Sequence, residues 1–369
     1  MVLLPTHFQL PRLLEAVSTF EFKTNPYYEA ADDEMHVWFN SYNVYSGLKL
    51  QEYLSHDYGL LCAWVYPETR TQGHLETCMA LNLWLFAYDD LSDESGLKHS
   101  AAGVRLATDI SMQVLRNPDG AVPKFRFARM LQDLFQKMRS TGSAHCCRRF
   151  VDACELYTQA SVSQSAHRID RNIPTVDEFV KLRRNSSGLK IVFAFIDYGM
   201  DLDIPDDVHN HPSMTSVIHA AIDIVAWNND LCSFNNEQSH GDTQNIVYCA
   251  LVENNLTLQD AMNFVANMVR TRVEEFGVLR AAAPSFEQPD VQRYLLGLEY
   301  WISGSMNWYY HSKRAYRFFS TYVALNLCLA IGYFKAEPGR DGAVVELYPR
   351  REEPAPLSVD HVEDFSASI

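Results

Sequence analysis

The sequence predicts an all-α protein folded as a single domain, and three observations carry that reading. Apolar residues recur at three- and four-residue spacing over 97–116, 124–139 and 257–280, the period of helices with one buried face. Alternating strand patterns are scarce. The stretch "TVDEFVKL" opens with a capping box, in which Thr175 and Glu178 can each satisfy the other's free backbone amide. No internal repeat, glycine-rich phosphate loop or linker-like stretch interrupts the chain before about residue 336.

Taken in order, residues 1–24 form an amino-terminal segment ahead of a helical domain spanning 25–335. The start, "MVLLPTHFQLPRLLEAV", lacks the basic residues, long apolar run and cleavage site of a secretory signal, so a cytoplasmic protein is expected. In "LWLFAYDDLSDESG", residues 83–96, an apolar run leads into Asp89, Asp90, Asp93 and Glu94. Carboxylates this close repel one another, and burying one without a partner costs several kcal/mol. The stretch is either a solvated helix end or the holder of a cation. Further on, the largely apolar Ile222–Trp227 continues into Asn229, Ser233 and Glu237. Their i, i+4, i+8 spacing keeps them within about 80° of one another on one helix face. An amide oxygen, a hydroxyl and a carboxylate are hard donors suited to Mg²⁺, although a polar face in water would also fit the pattern. Phe318–Phe334 is uncharged between Arg317 and Lys335, at the lower edge of what spans a bilayer, and is expected as a buried helix without stable membrane insertion. Residues 336–369, rich in Pro, Gly and charge without periodicity, are expected to be a flexible tail.

Composition narrows the setting. A chain of 369 residues that is 47% hydrophobic can bury a large core. Its formal net charge of −15 argues against nucleic acid or an anionic membrane as partner, since both demand excess Lys and Arg. The eight cysteines include no C-x-x-C pair, so they are expected as reduced, mostly buried thiols.

The two acidic clusters give the sequence a resemblance. "DDLSD" from Asp89 is similar to an aspartate-rich DDxx(x)D/E motif, and "NDLCSFNNE" from Asn229 to an NDxxSxxxE motif. Together they resemble the class I terpene synthases of microbial type. "RRNSSG" resembles that family's diphosphate-sensing element and puts Arg183 46 residues before Asn229, with Ser186 and Ser187 where the family breaks a helix near the reacting carbon. "WISGSMNWYYHSKRAYRF" resembles a carboxy-terminal element, placing Trp308 at a cavity tryptophan and Arg314 at a diphosphate arginine. "TNPYYEAADDEMHVW" is similar to an amino-terminal NP element that serves as structural support. The resemblance covers roughly residues 25–318. It departs from the family pattern at Ala315, which stands where a tyrosine is expected, with Tyr316 one place late and Arg317 a spare candidate; Asn236 replaces a basic residue.

What the resemblance implies is a class I isoprenoid synthase bundle around an apolar active-site cavity. Its metal ligands would be Asp89, Asp90, Asp93, Asn229, Ser233 and Glu237, holding three Mg²⁺ ions against an isoprenyl diphosphate. Arg183, Ser187, Arg314 and Tyr316 would contact substrate. Phe86 and Trp308, with Trp64 as a third candidate, would turn aromatic faces to the carbocation. The expected activity is conversion of farnesyl diphosphate to a sesquiterpene hydrocarbon or alcohol, and a homodimer is compatible with it. Alternatives are a chain-elongating prenyltransferase, a monoterpene or diterpene synthase, a non-catalytic helical binding protein, and a metal phosphohydrolase built on His56 and Asp57.

Overall fold

The computed structural model describes residues 4–94, 101–170, 173–311 and 342–349, without the side chains at 91–94, 101, 102, 104 and 165–170. Helices dominate. The first four are α1 (Tyr28–Ser41), α2 (Gly47–Leu54), α3 (Tyr58–Val65) and α4 (Gln72–Glu94). Then come α5 (Ala101–Arg116), α6 (Arg126–Thr141), α7 (Ala144–Asp170), α8 (Val176–Ser186), α9 (Leu189–Met200) and the single turn α10 (Asp206–His209). The chain continues with α11 (Pro212–Ser239), α12 (Ile246–Glu253), α13 (Leu258–Ala282) and α14 (Pro289–His311). The periodic stretches expected to be helical correspond to α5, α6 and α13, and the capping box at Thr175 and Glu178 is formed in both directions at the start of α8.

The core is organised by α11, which is buried almost all round from Met214 to Ser239. A helix apolar on every side must sit among other helices, and α11 packs against α13, α14, α8 and α12. On the other side, α4 packs against α1, α3, α6 and α9, and α14 spans the two groups through α3, α9 and α11. Gly304 permits the α14–α3 approach, since a Cβ there would lie 2.7 Å from the Trp64 carbonyl oxygen. The NP element is structural as expected: the buried Asn25 donates from Nδ2 to the Tyr66 carbonyl and Thr69 hydroxyl, both at 2.7 Å, fastening the start of α1 to the end of α3.

Residues 342–349 differ from the expectation of a flexible tail. Val344–Glu346 forms β2, antiparallel to β1 (His7–Gln9), with Phe8 opposite Val345. Both of those side chains are buried, and Phe8 meets Phe234 of α11 edge to face at 6.2 Å. Two three-residue strands more than 330 positions apart leave no period for sequence reading to detect. The seven cysteines among the described residues are free thiols, six of them buried. No helix among the described residues is long and apolar enough to cross a membrane. Phe318–Phe334 lies outside the described residues.

Candidate active site

Three helices and one helix break converge on the acidic clusters. Near its end α4 carries Phe86, with Asp89 and Asp90 three and four residues on, so the half-buried ring lies beneath an exposed and a partly buried carboxylate on one face. The helix runs through Glu94, so the acids continue it rather than terminate it. The side chain of Asp93 lies outside the described ones.

From α11 come Asn229 and Glu237, both partly buried, and Ser233, only 3% exposed. The Ser233 hydroxyl has no hydrogen-bond partner among the described residues. Such an orphan costs about 1–3 kcal/mol, which selection tolerates where the group has other work to do. Glu237 accepts from Asn245 Nδ2 at 2.9 Å, and its carboxyl is pushed up to about 7 by burial and by the charges of Asp230 and Asp242. Three aligned oxygen donors, one of them unpartnered, fit a hard divalent cation.

Arg183 reaches in from α8. One Nη donates to Asn229 Oδ1 at 2.8 Å and to Asp230 Oδ1 at 2.6 Å, while its Nε is buried without a partner. Burial opposes its charge, but Asp230, Glu237 and Asp89 outweigh that and hold the guanidinium above its ordinary range. The charge of Asp89 on α4 is thus near enough to act on Arg183 beside the α11 cluster. Arg184 does something different: it grips Asp223 with two hydrogen bonds, at 2.8 and 2.7 Å, and Arg272 binds the same carboxylate. Asp223 is 1% exposed in its side chain, so Arg184 neutralises a buried charge of α11 and is a structural residue.

The chain breaks between α8 and α9 where expected. Ser187 closes α8, and Gly188 adopts the left-handed conformation at φ 74°, which a side-chain-bearing residue rarely takes. A Cβ on Gly188 would sit 3.4 Å from Leu85, so the break abuts α4 one residue before Phe86. Ser187 Oγ accepts from the Leu189 amide at 3.3 Å. Ser186 is buried with its hydroxyl unpartnered.

Trp308 on α14 is 1% exposed and joins an aromatic group. Tyr58 stacks on Phe86 at 4.3 Å, and Trp308 lies 5.9 Å from Tyr58 and 6.1 Å from Phe86. Its indole donates to the Asp57 carbonyl at 3.0 Å. Trp64 stands apart from this group, correcting its place among the lining candidates: its ring meets Phe22 and His311, and its indole donates to Thr24. His56 and Asp57 are likewise structural, His56 facing the Tyr58 hydroxyl at 3.2 Å and Asp57 capping α3. Arg314, Ala315, Tyr316 and Arg317 lie outside the described residues.

Sequence reading overlooked several participants. Asp230 anchors Arg183 and accepts from the Ile246 amide, although it stands inside the quoted motif. Tyr309 accepts from Asn229 Nδ2 at 2.6 Å. Asn245 ties Glu237 to the Asp230 carbonyl. Tyr58, directly after Asp57, had only its neighbours' apolarity to signal it.

Residues 80–275 match the family described as terpene synthase family 2, C-terminal metal binding, a span that contains both acidic clusters and Arg183. The chain is 31% identical over 309 residues to sesquiterpene synthase 3 of Postia placenta, covering 83% of each chain. It is 30% identical over 299 residues to sesquiterpene synthase Agr1 of Cyclocybe aegerita, covering 80% of this chain and 85% of that one. The chain belongs to the terpene synthases. A terpene synthase of this family binds divalent metal and acts on an isoprenyl diphosphate, which accounts for oxygen donors beside a partly buried arginine. The fold agrees: germacradien-4-ol synthase from Streptomyces citricolor superposes with a TM-score of 0.69 at 23% identity, covering 79% of this chain and 96% of that one. The all-α bundle expected from the sequence is thus the class I terpene synthase fold.

Proposed function

We propose that this terpene synthase ionises farnesyl diphosphate in a Mg²⁺-dependent reaction, releases diphosphate and converts the carbocation to a sesquiterpene hydrocarbon or alcohol. The observation that carries the reading is the alignment of Asn229, Ser233 and Glu237 on α11 beside Arg183, with the Ser233 hydroxyl buried and unpartnered. The fifteen-carbon substrate is supported by relatives that bear the name sesquiterpene synthase.

Asn229, Ser233 and Glu237 would hold metal on one side of the site, and Asp89, Asp90 and Asp93 on the other, three ions in all. Bound there, the metal supplies Lewis-acid charge to the diphosphate oxygens. Arg183 is already poised between Asn229 and Asp230, and turning its planar fork to the departing diphosphate would add directional donors that a lysine lacks. Arg314 would supply a second fork and Tyr316 a hydroxyl. Ser187, at the break against α4, would lie near the reacting carbon. Below the carboxylates, Phe86 and Trp308 present electron-rich faces, each worth about 0.5–2 kcal/mol to a desolvated cation. Packing around Tyr58 would help to exclude water, which would quench the cation early.

Incubation with ten-, fifteen- and twenty-carbon diphosphates and Mg²⁺, read by gas chromatography and mass spectrometry, tests the reading. A sesquiterpene from the fifteen-carbon substrate, lost in excess chelator, is expected. Chain elongation in the presence of isopentenyl diphosphate would overturn it.

A further inference from the structure

The contact between Asn229 and Tyr309 bears on how the site is set before anything binds. Asparagine is an asymmetric ligand: only Oδ1 can coordinate a cation, and a half-turn of the amide presents a hydrogen-bearing nitrogen instead. At Asn229 the orientation is decided from both ends. The Arg183 guanidinium has no acceptor, so the atom facing it at 2.8 Å is Oδ1, and Nδ2 then donates to the Tyr309 hydroxyl at 2.6 Å. Tyr309 is 7% exposed and sits within a turn of the end of α14, its ring 5.2 Å from that of Trp308.

The two restraints are unequal in duration. On the function proposed above, Arg183 leaves Asn229 when it turns to diphosphate, and the restraint on Oδ1 goes with it. The hold on Nδ2 from α14 remains. We infer that Tyr309 is a positioning residue, which fixes the Asn229 amide with its oxygen toward the metal site while Arg183 exchanges partners. No other described side chain bonds Nδ2. Without the phenol, the amide can turn over, or Nδ2 is left buried and unpaired while Oδ1 is bound. Once Arg183 has turned to diphosphate, the metal-free site relaxes by reorienting the amide and the metal-bound site cannot, so the loss falls on metal binding. Partners of this outer kind change metal affinity by about 10–100-fold.

The test is metal uptake without turnover. Mn²⁺ is titrated into wild-type protein and Tyr309→Phe in the presence of inorganic diphosphate, and bound metal is read by electron paramagnetic resonance. Tyr309→Phe keeps the ring against Trp308, so melting temperature and helical circular dichroism should match wild type, while the Mn²⁺ concentration at half-saturation should rise about tenfold. The same substitution is then made on Asn229→Asp, whose carboxylate offers an oxygen either way round. There the further change should be less than about twofold, because no amide is left to orient. Wild-type Mn²⁺ binding by Tyr309→Phe would overturn the inference while leaving the metal site intact. An equal tenfold loss on the Asn229→Asp background would also overturn it, since Tyr309 would then act through packing. Absence of diphosphate-dependent Mn²⁺ uptake by wild-type protein would instead overturn the metal reading on which the inference rests.

Discussion

Replacing Ser233 with alanine should raise stability and destroy activity, and the opposite signs are what separate a ligand from a packing residue. The Ser233 side chain is 3% exposed and its hydroxyl is unpartnered, so alanine removes a buried polar group that costs about 1–3 kcal/mol. Alanine is also the better helix former by about 0.5 kcal/mol, and the lost oxygen leaves a gap too small to offset these gains fully. A net stabilisation of about 1 kcal/mol follows. At the usual unfolding entropy per residue, that is a rise in melting temperature of about 1–2 °C for a chain of this length. It is to be measured by calorimetry in chelator, so that bound metal does not contribute. Turnover of farnesyl diphosphate in Mg²⁺ should fall by about a hundredfold, because a direct ligand matters more than the outer partners that already govern 10–100-fold. A melting temperature several degrees lower would show that the hydroxyl has a partner in the folded protein. Turnover within about twofold of wild type would remove Ser233 from the ligand set.

Arg184→Ala should lower stability by about 1–3 kcal/mol, since Arg272 alone remains on the buried Asp223, yet leave product composition unchanged by gas chromatography. Trp308→Phe should keep more of the native product than Trp308→Leu, which removes the π-face and favours acyclic or monocyclic compounds; identical profiles in both would make Trp308 a packing residue. Asn228 is fully buried with both ends of its amide unpartnered, so Asn228→Leu should be neutral or stabilising by thermal unfolding. His209 is held down to about 4 by burial and by Arg149, whereas the unfolded chain protonates its histidine near 6.5. Its contribution is therefore present above about pH 6.5 and lost as pH falls toward 4, by about 3 kcal/mol, and His209→Gln should flatten that part of the stability curve.

Local order was legible wherever one helix carries the whole pattern. Asn229, Ser233 and Glu237 share a face because residues four apart on a helix must, and the burial of Ile222–Trp227 followed from apolarity alone. The helix break was legible at Ser186 and Ser187 through the resemblance, and the left-handed Gly188 that follows them supplies its physical reason. Partner choice across the fold was not legible. Nothing in "RRNSSG" says that Arg183 turns to Asp230 while its neighbour turns to Asp223, because both acids belong to α11 and the selection is made by how α8 crosses it. Trp64 has the apolar neighbours of a cavity residue, but the rotation of α3 points it at Phe22. Tyr309 carries no motif, and its role depends on α14 bringing a phenol within 2.6 Å of an amide 80 positions earlier.

The central proposal is that oxygen donors of α4 and α11 hold metal against diphosphate in one site. Crystals soaked in Mn²⁺ and inorganic diphosphate, with data collected at the manganese edge, locate those ions directly by anomalous scattering. Peaks are expected within about 2.2 Å of Asn229 Oδ1, Ser233 Oγ and the Glu237 carboxylate, with others at Asp89 and with Arg183 turned from Asn229 to the diphosphate. Manganese bound elsewhere, or diphosphate bound with no metal on α11, would contradict it.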